Sequence, residues 1–345
     1  QLFCIVHEAI ELLELSGFHV RALVSDGASQ NRKFYDMLRE DPRHPSFLNP
    51  FSGRPIYLFS DVPHLLKTCR NNLEKSGYHN STRNMMFRGL SVSWKHIVDV
   101  YNWDLQQCTG LRMLHRITEE HIHLTPSHRM KVKLAAQVLS STMVNALTIQ
   151  GRPETASTAL YINYIDTFFD CMNVSQFNSG KRQKKLALHP YTDVSDWRLT
   201  WLEEDFLSFL EEWETEGKLT PLTNAEKEKL CLSKQTLEGL KFTVKAFVLL
   251  TRELLMEPGV KFILSEKFSQ DPLEEHFSKQ RGMGGRYDNP TVNQFGYNLN
   301  TLQVAGAAIK ASKRSNVTQS ESSPSSSCDS TPLPRTKKRL WKDVQ

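Results

Sequence analysis

The first 73 residues combine helical spacing of apolar positions with two strand-like runs. Residues 1–15 carry apolar side chains at near-helical intervals, and Gly17 ends this pattern. The runs 18–25 (FHVRALVS) and 56–59 (IYLF) are typical of strands, and each is followed by a polar turn and a predicted helix. Pro63 opens the second of these helices. This order of elements predicts an α/β fold with parallel strands.

From about residue 78 to residue 270 the pattern is helical throughout. Aromatic and aliphatic residues share one broad stripe over 196–214, which we interpret as core packing. Ser233 is the predicted N-cap of one long helix. The predicted long helical segments are 130–148, 155–172, 196–214 and 233–256.

The C-terminal part contains two further predicted helices and a tail. One helix begins at Asp271, and the next follows Pro290 and reaches about Lys313. Residues 315–334 are rich in Ser, Thr and Pro, which predicts disorder. The basic cluster RTKKR at 335–339 is either a nuclear address or a solvated tail.

Composition narrows the class of protein. The chain of 345 residues has a formal net charge of +5, 39% hydrophobic and 23% charged residues, which is typical of a soluble globular protein of about two domains. It has no apolar run of about 20 residues, so we expect no membrane span. Its six cysteines include no close pair, which argues against a Cys-rich zinc site and a disulfide framework. The P-loop and Gly-x-Ser-x-Gly motifs are absent.

Four carboxylates have a context that suits metal-dependent phosphodiester chemistry. Asp26 and Asp61 follow the two predicted strands, where α/β sheets collect ligands. Asp271 and Glu274 lie at i and i+3, on one face of a helix. Converging carboxylates could hold two Mg²⁺ ions about 4 Å apart. Equally, Asp26 could shape a turn, Asp61 could cap a helix, and Asp271 with Glu274 could form a capping box.

Two other polar features have plainer interpretations. We interpret His121 and His123, with His115 and His128 nearby, as ordinary histidines because no Cys or Asp completes a zinc motif. The basic segment 180–185 (GKRQKK) is predicted to be solvated, with a phosphate or DNA contact as the alternative.

Four sequence blocks together resemble the P-element transposases and their THAP-domain relatives. Their order and relative spacing match the family, and the similarity extends to about Lys310. The last block is long and specific. The blocks are VSDGASQN (24–31), LFSDVPHLLKTCRNNL (58–73), KVKLAAQVLS (131–140) and QDPLEEHFSKQRGMGGRYDNPTVNQF (270–295).

The resemblance implies an RNase H-like core that is interrupted by an all-helical, GTP-binding insertion and that cuts and joins DNA with Mg²⁺ or Mn²⁺. It further implies DNA and GTP as partners, a homo-oligomer when intact, and a nuclear location. The corresponding regions are the first part of the core (1–76), the insertion (77–268), the C-terminal helices of the core (269–313) and a disordered tail (314–345).

The same resemblance implies roles for individual residues of the core. Asp26 corresponds to the family's second catalytic Asp and Glu274 to its catalytic Glu, so both are candidate metal ligands. Asp271 would support the same acidic pocket. Asp61 and His64 are expected to cap and orient a helix beside the site. Lys67 and Arg70 lie on the continuing face of that helix, where they could touch phosphate.

In the insertion, the resemblance assigns GTP contacts to Lys131, Val132, Ser140 and Asp170, while Arg116 takes the place of a family Lys. A carboxylate accepts both N1–H and N2–H₂ of guanine, so Asp170 would select GTP. Lys131 and Arg116 would contact the phosphates. Alternatively, Asp170 is an ordinary polar residue of an amphipathic helix.

Two family features are missing from the sequence. The first catalytic Asp of the family stands in an Asp-Glu-Met string upstream of Asp26, and no such string is present. The THAP zinc module is also absent. We therefore expect an N-terminally truncated fragment, truncated gene product or decayed copy of such a transposase. The alternative is a domesticated, catalytically inactive nuclear protein that binds GTP and DNA or a partner.

Overall fold

The computed structural model describes residues 2–39, 41, 44–79, 81–107, 112–178, 180, 185–283 and 289–305. Within these residues the protein is mostly helical, with a small mixed sheet near the N-terminus. The Ser/Thr/Pro-rich segment 315–334 and the basic cluster 335–339 lie outside the described residues.

The sheet contains three strands in the order β1-β3-β2. Strands β1 (Ala22–Ser25) and β3 (Pro55–Ser60) pair in parallel, as the α/β pattern predicts. Strand β2 (Ser46–Leu48) runs antiparallel to β3. The sequence predicted only a loop over 41–55, because a three-residue strand has no measurable periodicity.

Three helices accompany this sheet: α1 (Leu2–Leu15), α2 (Ser29–Leu38) and α3 (Val62–Glu74). Tyr35 of α2 donates from its hydroxyl to backbone carbonyls of β1 and β3, both at 3.1 Å. These bonds fix α2 against the sheet.

After α3 comes a short hairpin, β4 (Met86–Phe87) and β5 (Leu90–Ser91), and then the helical region. Its first helices are α4 (Trp94–Gln106), α5 (Glu119–Ile122), α6 (Pro126–Arg129), α7 (Val132–Val138), α8 (Ser141–Gln150) and α9 (Ala156–Met172).

The predicted helix over 130–148 is two helices, α7 and α8, because the chain leaves helical geometry at Leu139 and Ser140. By length and composition alone, the stretch Val132–Gln150 is apolar enough to cross a membrane. In the structure several of its apolar side chains, including Val138 and Met143, belong to the protein core, whereas Ile149 is exposed.

The aromatic stripe of residues 196–214 is mainly core, as interpreted from the sequence. Phe206, Phe209 and Trp213 are buried, whereas Trp197 at the start is 51% exposed. The segment consists of α10 (Trp197–Thr200), a π-helical stretch (Trp201–Phe206) and α11 (Leu207–Leu219), followed by the short α12 (Asn224–Lys227).

Helix α13 (Lys234–Met256) starts after Ser233, whose side chain accepts the amide of Thr236 and so confirms the predicted N-cap. This helix falls within the predicted insertion, 77–268, yet it packs on β3 of the sheet. The hydroxyl of Thr243 accepts the amide of Ser60 at 3.0 Å. One face of the sheet is therefore covered by a helix that is far away in sequence.

The last described helices are α14 (Asp271–Met283) and α15 (Val292–Ala305), close to their predicted starts. They pack against each other. A 3₁₀ turn, Ser265–Phe268, leads into α14, and Phe268 stacks on Phe59 of β3 with 5.2 Å between ring centroids. This contact brings the start of α14 to the carboxyl end of the sheet.

Candidate functional site

The two strand-end aspartates leave the sheet at the same edge. Ser25 lies opposite Ser60 in the parallel pair, and the Asp61 amide donates to the Ser25 carbonyl at 2.8 Å. Asp26 and Asp61 therefore begin the two turns that follow adjacent strands, as predicted.

Asp26 uses one carboxylate oxygen to build its own turn. Oδ1 accepts the amide of Ala28 at 3.0 Å and the side-chain amide of Asn31 at 2.7 Å. Within the described part of the chain, Oδ2 accepts no hydrogen bond. The turn-shaping role is therefore present, and the second oxygen remains available to a ligand.

Asp61 uses both carboxylate oxygens for structure. Oδ2 accepts the amide of His64 at 2.9 Å and caps α3, as expected. Oδ1 accepts the amide of Gln270 at 2.9 Å, immediately before α14. Asp61 is 3% exposed, so it joins two helices in a nearly dry environment.

His64 lies close enough to both strand-end aspartates to feel their charges. A Cβ atom on Gly27 would come within 3.3 Å of His64 Nε2, so the turn after Asp26 passes close to the imidazole. Burial lowers the pKa of His64 and the charge of Lys67 lowers it further, while Asp61 and Asp26 oppose both effects. The imidazole is therefore favoured in its neutral form beside the candidate site.

Asp271 lies in a group of carboxylates. Its pKa is raised from 3.8 to about 6, mainly by burial and also by the nearby charges of Asp61, Glu266 and Glu274, against the opposing charge of Lys67. Asp271 and Glu274 occupy the first turn of α14. The predicted acidic face of α14 thus meets the capped end of α3.

These carboxylates do not by themselves form a complete metal site. In the described ranges, no group of three or more His, Cys, Asp or Glu side chains is arranged to hold a metal ion. The ligand set Asp26 and Glu274, which the resemblance implies, therefore does not fit a resident metal without a further ligand from elsewhere.

A second acidic site lies at the start of α8. Asp166 of α9 accepts the amide of Ser141 through Oδ2 at 2.9 Å. Lys185 Nζ lies 2.6 Å from Asp170 Oδ2 and 3.5 Å from Asp166 Oδ2. The pKa of Asp166 is raised to about 6, mainly by burial and also by the charge of Asp170, against the opposing charge of Lys185. Burial also raises the pKa of Asp170, although Lys185 opposes that change.

The other candidate GTP contacts are dispersed around this acidic pair. Ser140 lies directly before Ser141, whose amide donates to Asp166. Ser140 is therefore close to the acidic pair of Asp166 and Asp170. Val132 is partly buried against the core. Arg116 and Lys131 are exposed, and neither side chain has a hydrogen bond or ion pair to Asp170 among the described residues.

Arg70 has a structural role in place of the expected phosphate contact. It is fully buried, and its Nη2 donates to the carbonyls of His128 and Arg129 at 3.3 and 3.0 Å. Burial lowers its pKa to about 10. Arg70 therefore joins α3 to α6 instead of facing a ligand.

The histidines behave as interpreted from the sequence. His121 is buried, its Nδ1 lies 3.0 Å from Thr118 Oγ1, and its Nε2 lies 2.9 Å from Gln137 Oε1. The exposed His123 lies 3.3 Å from Glu119. Both imidazoles thus have ordinary protein partners.

Sequence reasoning missed Asp166 and Lys185. Asp166 and Asp170 are four residues apart on one helix face, a spacing that could have identified the pair. Lys185 belongs to the segment 180–185, which was predicted to be solvated. Residues 181–184 lie outside the described residues, but Lys185 is paired.

Comparisons with known proteins agree with this architecture. Residues 63–185 match the family described as TNP-like, GTP-binding insertion domain. Residues 266–297 match the TNP-like, RNase H C-terminal domain. Among curated proteins, the Transposable element P transposase of Drosophila melanogaster is 26% identical over 323 residues, which is 90% of this chain and 39% of that protein.

A solved structure is similar as well. The Drosophila P element transposase strand transfer complex matches with a TM-score of 0.72 and 25% identity, over 88% of this chain and 64% of that chain. This chain therefore spans less than two thirds of either relative. The similarity that four sequence blocks predicted is confirmed at the level of both sequence and fold.

Proposed function

We propose that this chain acts in DNA strand cleavage and strand transfer, because it is similar to a P-element transposase and matches a GTP-binding insertion family over residues 63–185. The observation that carries the proposal is the meeting of Asp26, His64 and the acidic turn of α14 at one edge of the sheet. Similarity over 90% of the chain to a transposase supports the same reaction.

In this proposal Asp26 and Glu274 are the carboxylates closest to the reaction. Asp26 has an oxygen free of hydrogen bonds from the described residues, and Glu274 lies with Asp271 in the first turn of α14, within the acidic group. Asp271 supports that group, and Asp61 holds its two helices together. Mg²⁺ or Mn²⁺ remains a proposed cofactor, which needs a further ligand from outside the described residues.

We also propose that GTP binds beside Asp170. The family match over 63–185 and the junction of Asp166, Asp170 and Lys185 at the start of α8 support this position. A nuclear location and a homo-oligomeric state complete the proposal. The basic cluster 335–339 supports the first, and the resemblance to P-element transposases supports the second.

The cleavage proposal is tested by nicking of supercoiled plasmid DNA in Mg²⁺ or Mn²⁺, using the full-length protein. We expect Asp26→Asn and Glu274→Gln each to abolish nicking. Glu275→Gln is the matched control, since Glu275 pairs with Lys279 at 2.7 Å on the same helix. Equal nicking by all three variants and the wild type would contradict the assignment.

The second candidate function is binding without catalysis, by a domesticated protein that retains GTP and DNA or partner contacts. It is favoured by the incomplete metal-ligand group among the described residues. Retained GTP and DNA binding without nicking would support it. The GTP site itself is tested by calorimetry, in which Asp170→Ala should lose GTP affinity and the exposed Asp205→Ala should not.

A further inference from the structure

A groove of about 630 Å³ lies between α2, the start of α3 and the first half of α13. Gly27 and His64 line one end, so the groove opens beside the turn that carries Asp26. Five Lys or Arg side chains and two aromatic ones line it: Arg32, Arg39, Lys234, Lys241, Lys245, Tyr35 and Phe242.

The groove carries an excess of positive charge. Its lining includes five Lys or Arg side chains and only two carboxylates, those of Asp36 and Glu238. Lys241 is paired with Glu214 at 2.7 Å, and Lys234 lies 3.8 Å from Glu238. Lys245 is exposed and has no ion pair within the described part of the chain. An anion would therefore meet cations that are only partly neutralised.

The basic residues of α13 are spaced along the groove. Lys234, Lys241 and Lys245 lie at i, i+7 and i+11, which places them on one face of the helix. With 1.5 Å of rise per residue, the first and last are about 16 Å apart along the axis. That span suits several successive phosphates of a polymer better than one isolated phosphate.

Two aromatic rings of the groove lining pack close to each other. The rings of Tyr35 and Phe242 are 6.2 Å apart, and the guanidinium of Arg39 lies 4.8 Å from the Phe242 ring centroid. Gly239 lets α13 approach α3 closely, since a Cβ there would lie 2.9 Å from Leu65 Cδ2. A groove lined by both cations and aromatic rings is typical of single-stranded nucleic acid sites.

We propose that this groove binds the sugar-phosphate backbone of a single DNA strand next to the candidate catalytic edge. The inference rests on the proposed function, because it extends the same site. Lys234 and Lys245 contact the backbone, and Arg32 receives the end of the strand beside Asp26.

The test measures fluorescence anisotropy of a labelled single-stranded oligonucleotide with the full-length protein, without divalent ions and over a range of salt concentrations. The variant carries Lys234→Ala and Lys245→Ala; the control carries Lys95→Ala and Lys229→Ala, two exposed lysines outside the groove. Each lost phosphate contact changes the slope of log K against log salt by about 0.7. Because the groove variant lacks two such contacts, we expect the magnitude of its slope to be smaller by about 1.4 than that of the wild type. The control variant should have the slope of the wild type.

Unchanged single-strand affinity and slope in the groove variant would overturn the proposal. The proposal would also be overturned if the groove variant lost affinity only for duplex DNA. The same holds if the groove variant lost GTP affinity and kept its affinity for single strands. Plasmid nicking separates this result from the proposed function. If the groove variant binds single strands normally and nicking still depends on Glu274, only the groove assignment is wrong. If the groove variant loses single-strand binding and the wild type does not nick plasmid, the groove assignment is supported and the cleavage proposal fails.

Discussion

The carboxylate of Asp61 accepts the backbone amide of Gln270 at 2.9 Å, although 209 residues separate them. The same carboxylate caps α3 through the amide of His64. One buried side chain thus fixes the start of α14, with Asp271 and Glu274, against the end of the sheet. The position of the acidic face depends on this junction.

Two substitutions separate the two bonds of Asp61. Asp61→Asn keeps one acceptor oxygen for the α3 cap and replaces the other with an amide that cannot accept from Gln270. Asp61→Ala removes both, so it should cost about 1 kcal/mol for the cap and about 1–3 kcal/mol more for the buried amide left without a partner. Urea unfolding should rank stability as wild type, then Asn, then Ala. If Asp61→Asn were as stable as the wild type, the Gln270 bond would be unimportant; equal stability of the two variants would show the same for the α3 cap.

The raised pKa of Asp271 predicts a specific pH dependence. Between 3.8 and about 6 the folded state binds the Asp271 proton more tightly than the unfolded state does, so this group makes the protein less stable as pH rises through that window. Asp271→Asn removes this penalty, so it should stabilise the protein relative to the wild type more at pH 7 than at pH 4. Urea unfolding at both pH values measures this, with Glu275→Gln as control. A parallel pH profile for Asp271→Asn and wild type would contradict the assignment.

Lys67 is 7% exposed, and its ammonium has no hydrogen bond or ion pair with any described residue. Burial raises the pKa of Asp271 and lowers that of His64, and the Lys67 charge lowers both. Lys67→Met should therefore raise both pKa values, whereas Lys67→Arg should preserve them. NMR titration of the imidazole and the carboxyl carbon measures the shifts. If both pKa values were unchanged in Lys67→Met, the Lys67 charge would have no effect on Asp271 or His64.

Lys185 offsets the repulsion between Asp166 and Asp170. Lys185→Met should raise the pKa of both carboxyls further, because burial and mutual repulsion then act without a counter-charge. Since those pKa values already exceed the unfolded value, the loss of stability should grow as pH rises, and be larger at pH 8 than at pH 5. Urea unfolding compares it with Lys218→Met, which removes an exposed pair with Glu214. A loss independent of pH would indicate a packing defect.

Short-range patterns in the sequence were sufficient for much of the fold. Strand-like runs followed by polar turns predicted the parallel pair and placed Asp26 and Asp61 at one edge. Ser233 was recognised as an N-cap because capping depends on a few consecutive residues. The break at Ser140 was missed because the apolar spacing continues across it.

What the sequence by itself determined was the local structure and, through four blocks in order, the resemblance to P-element transposases. Only the tertiary structure decided that α13 covers the sheet, that Asp61 reaches Gln270, and that Lys185 joins Asp166 to Asp170. Periodicity and capping arise from neighbours within one or two turns. Contacts between distant segments depend instead on how the whole chain packs, which no local pattern encodes.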